Sequence, residues 1–146
     1  MERSENAEGL FLHSDYNCAQ SVVLAFVDKL KISREVAQKM AAGFGGGMGK
    51  QQETCGAVTG AIMVLGMLEG EKVNNNDELK SRSYSSVQKF HRQFAEEFGT
   101  TRCEELIKVN LNTPEGSARF KEEKIKEHVC APCVKRAVEI IEAMMN

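Results

Sequence analysis

Gly43-Phe44-Gly45-Gly46-Gly47-Met48-Gly49-Lys50-Gln51-Gln52-Glu53-Thr54-Cys55-Gly56-Ala57-Val58-Thr59-Gly60 is the stretch from which the rest of the chain can be read. Five glycines fall in the seven residues 43–49. Glycine adopts positive φ and lets other groups approach the backbone, at an entropic cost on folding. Such a density implies a backbone that bends sharply or lies against something. The apolar run Ala57 to Leu68 that follows predicts a helix, and Thr54 is a good N-cap for it. Cys55 then falls in the first helical turn, where free N–H groups and the helix dipole stabilise a thiolate.

Working outward, helical periodicity recurs and alternating β-branched runs are absent. Asn17 with Gln20 has the form of a capping box. Val22, Val23, Phe26, Val27 and Leu30 follow at helical spacing. Ser33 can cap a second helix on which Val36, Met40 and Phe44 share a face, and the glycine-rich loop ends it. The third helix, from Cys55 to about Leu68, is apolar nearly all round and is expected at the centre. Gly56 and Gly60, with Ala57 and Ala61, are small residues four apart that admit a close neighbouring helix, by analogy with membrane helices.

After the polar connection Glu69 to Asn76, a long helix is expected from about Asp77 to Phe98. Its stripe is Leu79, Tyr84, Val87, Phe90, Phe94 and Phe98, and Gly99 is its stop. Thr101 and Glu104 form a second capping-box pattern before Leu106 and Ile107. Thr113-Pro114-Glu115 signals another helix start. The last helix is expected near Pro132, burying Val134, Ala137, Val138, Ile141 and Met145. The fold class is therefore an all-α, compact bundle of five to seven helices, with the glycine-rich loop before the central buried helix.

The 146 residues suit a single domain spanning 1–146. A net charge of −2 gives no reason to expect nucleic acid or an anionic membrane as partner. No apolar run approaches the ~20 residues of a spanning helix, so no membrane insertion is expected. The first six residues are polar and lack the apolar core of a signal peptide. A cytoplasmic setting follows as the expectation. A homodimer suits a bundle of this size.

Five cysteines are the unusual item. A reducing compartment disfavours a disulfide scaffold, leaving catalytic, redox-sensing or metal-binding thiols, or buried cysteines that merely pack. Cys18, Cys55, Cys103 and Cys133 all fall at predicted helix starts, where thiol pKa values drop. Core filler has no reason to prefer that place. Cys130-Ala131-Pro132-Cys133 is a C-x-x-C pair without the βαβ surroundings of thioredoxin. Cys18, Cys55 and Cys103 are far apart in sequence, so any shared site must be assembled by packing at helix ends.

Other motifs are weaker. The glycine-rich loop lacks the P-loop order, since Gln51 follows Lys50, though a simple anion nest fits it. His13, His91 and His128 have no paired spacing and suit structural positions. The seven methionines suit core filling.

The cysteine-bearing segments resemble the C-GCAxxG-C-C family, described as redox-active proteins. The likeness runs from about Asn17 to Ile141. It is carried by Asn17-Cys18-Ala19-Gln20-Ser21-Val22, the glycine-rich loop, Thr54-Cys55-Gly56-Ala57-Val58-Thr59-Gly60, Phe98-Gly99 with Cys103-Glu104-Glu105-Leu106, Thr113-Pro114-Glu115-Gly116 and Cys133-Val134-Lys135-Arg136-Ala137-Val138. The central motif here reads Cys-Gly-Ala-x-x-Gly, a slight departure from the family label. The resemblance implies that the four signature cysteines are Cys18, Cys55, Cys103 and Cys133. Cys130 is an extra, or the fourth if the alignment slips by three residues.

Three functions are consistent with this reading. The first is redox chemistry with an unknown partner, through two exchanging thiol pairs or one cluster. The second is a zinc or iron–sulfur module held by Cys18, Cys55, Cys103 and Cys133, with Cys130 as substitute. The third is a structural or partner-binding helical domain.

Overall fold

The structure, a computed structural model, describes residues 2–145. It is all-α, with nine helices and no β-strand among the described residues. They are α1 (Arg3–His13), α2 (Cys18–Leu24), α3 (Val27–Leu30), α4 (Arg34–Ala41), α5 (Gly56–Gly70), α6 (Asn76–Phe98), α7 (Cys103–Ile107), α8 (Pro114–Glu122) and α9 (Ala131–Met145). A 3₁₀ turn over Ala42–Phe44 leads into the glycine-rich loop, and a π-helical segment over Lys126–Cys130 runs directly into α9.

Local chemistry sets several of these ends. The Asn17 side chain accepts from the Gln20 N–H, and the Gln20 side chain accepts from the Asn17 N–H, completing the expected capping box. The Ser33 hydroxyl accepts from the Val36 N–H at 3.1 Å. Thr113 caps α8, with Pro114 at its first position. Gly99, at φ 84°, closes α6.

α5 is the central element and packs against α2, α6 and α9. A β-carbon on Gly60 would lie 2.9 Å from the Ala19 carbonyl oxygen, and one on Gly56 2.9 Å from the Cys18 Cβ. The two glycines therefore let α2 come against the α5 backbone. On α6, Phe90 and Phe94 are fully buried with ring centroids 5.9 Å apart. α9 buries Val134, Ala137, Val138 and Ile141, as its spacing predicts, together with Ile140.

The structure departs at several places from the sequence expectation. α1 has no counterpart in it; the helix buries only Ser4, Ala7 and Phe11, and Arg3 fastens it to the Ala25 carbonyl and Asp28. Val36 and Met40 do not face the core: Met40 is 59% exposed, and α4 instead buries the small Ala37 and Ala41. Tyr84 is 62% exposed, because the first half of α6 is held to α5 by Glu69, which accepts from Arg82 and Ser86, rather than by an apolar stripe. Met145 is likewise exposed.

The buried side chains form two clusters. The larger contains Cys55 and Cys133, with Cys18 packed against it. The smaller is built from Cys103, Ile107, Val109 and Ile125. Leu106 and Cys130 pack against both. No helix among the described residues is long and apolar enough to cross a membrane.

Candidate thiol site

The glycine-rich loop is a run of left-handed residues. Gly46, Gly47, Met48, Gly49, Lys50 and Gln52 all have φ between 59° and 72°. Its N–H groups are used within the loop: Lys50 donates to the Gly45 carbonyl, Gln52 to Gly46 and Glu53 to Gly47. Those donors are therefore committed, and the anion-nest reading loses them. The Gln52 side chain is buried and ties the loop to the α7–α8 connection, donating to the Val109 carbonyl at 2.7 Å and accepting from the Leu111 N–H at 2.8 Å.

Beyond the loop, Thr54 forms an isolated antiparallel bridge with Arg102. Cys55 N–H donates to the Thr101 carbonyl at 2.8 Å, and Cys103 N–H donates to the Glu53 carbonyl at 2.7 Å. One residue pair of sheet-like bonding thus holds Cys55 and Cys103 side by side at the starts of α5 and α7. It also displaces two expected caps. Thr54 does not cap α5, where Cys55 is itself the N-cap residue. Thr101 makes no capping box with Glu104; its hydroxyl lies 3.3 Å from His91 Nε2.

All five cysteines line one cavity of about 50 Å³, with Gly46, Gly47 and Gly56 in its wall. Cys55, Cys103 and Cys133 are buried, Cys133 to 1% exposure, while Cys18 and Cys130 are half-buried. None is joined in a disulfide. The rest of the lining is Leu106, Ile107, Leu111, Phe120 and Val129. His13, His91 and His128 are exposed and lie outside it.

The thiols fall into pairs. Cys133 is in hydrogen-bond reach of Cys55, and Cys18 of Cys130. Cys103 stands between them, close enough to feel charge on Cys55 and on Cys130. The hydrogen bond from Cys133 holds the Cys55 thiol below its ordinary range, helped by the Ala57 and Val58 N–H groups and opposed by burial. Cys133 keeps the shared proton and is pushed well up. The bond to Cys130, together with burial, pushes Cys18 up. Burial and the neighbouring sulfurs push Cys103 up to about 12.

Of the cysteines expected at helix starts, Cys55 is the one held below the ordinary thiol range, first by Cys133 and then by the N–H groups of the first turn. For Cys18 and Cys103, burial and neighbouring thiols outweigh the dipole. Cys133 has no free helix end beneath it, because the π segment continues into α9: the Ala131 N–H bonds to the Lys126 carbonyl. Pro132 explains this geometry. It has no N–H and would clash with the carbonyl four residues back, and a wider π turn makes room for it. Helix thus runs on both sides of Pro132, and Cys130 and Cys133, three apart, share one face. Cys130 lines the same cavity as the other four cysteines, and its i, i+3 spacing from Cys133 is the sequence signal for that placement. Among the described residues no three His, Cys, Asp or Glu side chains are arranged to hold a metal ion.

A helical bundle that gathers five thiols, drawn from four separated segments, around one apolar cavity defines a thiol-centred class of protein. The chain belongs to the family whose model is described as "Putative redox-active protein (C_GCAxxG_C_C)", which matches residues 16–144. A protein of Archaeoglobus fulgidus, itself described as uncharacterized, is 31% identical over 150 residues, covering 96% of this chain and 93% of its own. No solved structure matches the chain.

Proposed function

We propose that this protein is a cytoplasmic thiol–disulfide redox protein that exchanges electron pairs with a redox partner through its clustered cysteines. The observation that carries this reading is the Cys55–Cys133 pair: two sulfurs lining one cavity, with the Cys55 thiol held below its ordinary range by its neighbour Cys133. The thiolate is the nucleophile of thiol chemistry, and a neighbouring thiol resolves what it forms. Cys55 is the attacking sulfur and Cys133 the resolving one. Cys18 and Cys130 form a second pair, and Cys103 lies between the two.

Thiol labelling with peptide mapping, before and after mild oxidation, tests this reading. Oxidation is expected to protect Cys55 and Cys133 together; identical labelling of all five thiols in both states would sink it. Metal analysis on the same anaerobically purified sample separates it from zinc or an iron–sulfur cluster held by the same sulfurs.

A further inference from the structure

The cavity before the thiols measures about 50 Å³, a few times the roughly 10–15 Å³ that one enclosed water needs. A glutathione disulfide is too large to be enclosed in such a space. Its lining is apolar apart from the sulfurs, and no charged side chain among the described residues belongs to it. Entry of an ion would go uncompensated. The occupant that fits is small and neutral, and meets a pair of thiols that gives up two electrons; hydrogen peroxide meets each requirement.

We propose that this cavity is a hydrogen peroxide site, with Cys55 as the sulfur that attacks the peroxide and Cys133 as its resolving partner. This assignment rests on the redox function proposed above, with hydrogen peroxide as the oxidant. In the first step the Cys55 thiolate attacks one peroxide oxygen and the O–O bond breaks. Cys55 becomes a sulfenic acid, and the departing hydroxide takes the Cys133 thiol proton and leaves as water. In the second step the Cys133 thiolate attacks the Cys55 sulfur. The S–S bond forms, the S–O bond breaks, and hydroxide leaves to take a proton from solvent. Two electrons pass from the two sulfurs to one peroxide.

The test uses the full reduced chain under anaerobic conditions, challenged separately with hydrogen peroxide, cumene hydroperoxide and oxidised glutathione at matched concentrations. Intact mass and peptide maps are followed with time. Hydrogen peroxide is expected to remove two hydrogens and join Cys55 to Cys133, with the two bulky oxidants slower by about a hundredfold, since apolar pockets discriminate single methylenes by about 10- to 200-fold. In Cys133→Ser, Cys55 is expected to gain one oxygen and to be trapped by dimedone. Cumene hydroperoxide or oxidised glutathione reacting as fast as hydrogen peroxide would overturn the peroxide site and leave the redox reading standing. Failure of all three oxidants to join any two cysteines would overturn the redox reading itself. If Cys133→Ser does not fold, the wild-type rate ratios decide alone.

Discussion

A β-carbon on Gly47 would lie 2.8 Å from the Cβ of Cys103, and 2.7 Å from both the Gln52 Cα and the Glu53 nitrogen. The loop therefore reaches the thiol cluster only because residue 47 has no side chain, and its φ of 72° adds a second requirement for glycine. Two of the three clashing atoms are backbone, which cannot rotate away. Gly47→Ala is expected to cost about 2–4 kcal/mol, combining overpacking with left-handed strain. Cys103 should also label faster with a small alkylating reagent in the variant. Urea unfolding and labelling rates on one preparation check both.

Gly60 and Gly66 lie on the same helix and should respond oppositely to the same substitution. At Gly60 a β-carbon meets the Ala19 carbonyl oxygen at 2.9 Å and its Cα at 3.1 Å, whereas at Gly66 nothing lies within 4 Å. Gly60→Ala would push α2, and Cys18 at its start, away from α5; it is expected to destabilise by about 1–3 kcal/mol. Gly66→Ala fills open space and reduces the entropy of the unfolded chain, so it should stabilise by about 0.4–1 kcal/mol. Thermal unfolding of both variants measures the contrast.

The buried thiols predict a loss of stability at alkaline pH. Unfolded cysteine loses its proton near 9.0, while folded Cys103 keeps its proton up to about 12. The stability that Cys103 contributes is thus complete below pH 9 and is lost as pH rises from 9 to about 12. Cys18 and Cys133 act in the same sense. Cys55 acts in the opposite one, since its contribution is lost as pH falls through its lowered pKa. Three raised groups against one lowered group give a net fall above pH 9. In Cys103→Ser the slope between pH 9 and about 11 should be shallower by at most about 1.4 kcal/mol per pH unit, less where solvent screens the site. Denaturant midpoints of both proteins across that range supply the comparison.

Gln52 predicts a structural cost without a change in thiol chemistry. Its buried amide satisfies the Val109 carbonyl and the Leu111 N–H. Gln52→Ala strands both groups, at about 1–3 kcal/mol each. Hydrogen exchange should rise across residues 108–112, while the reactivity of Cys55 stays as in the wild type.

Local signals were legible in the sequence and non-local ones were not. The caps at Asn17, Ser33 and Thr113 depend on residues three apart, so a short window contains them. The helical fold class and central α5 followed from period and composition. α1 escaped because Ser4 and Ala7 make too weak an apolar pattern around Phe11. The neighbourhood of Cys55 and Cys103 depends on one bridge between Thr54 and Arg102, which no periodicity encodes. The family resemblance leaves Cys130 as an extra or a substitute for Cys133, whereas the π segment carries the helix through Pro132 and puts both on the cavity.

The continuous helix through Pro132 changes the expected disulfide map. A C-x-x-C pair on its own suggests a Cys130–Cys133 link, but each of the two has a partner on another element: Cys130 faces Cys18 of α2, and Cys133 faces Cys55 at the start of α5. Full oxidation should therefore give Cys18–Cys130 and Cys55–Cys133 and leave Cys103 alkylatable. The two links tie α9 and the π segment before it to different helix starts, so each should form without the other. Cys18→Ser is expected to abolish the first link and leave the yield of Cys55–Cys133 unchanged. Peptide mapping without reduction reads both outcomes, and a wild-type Cys130–Cys133 link would show that proximity along one helix, rather than packing between helices, decides which sulfurs exchange.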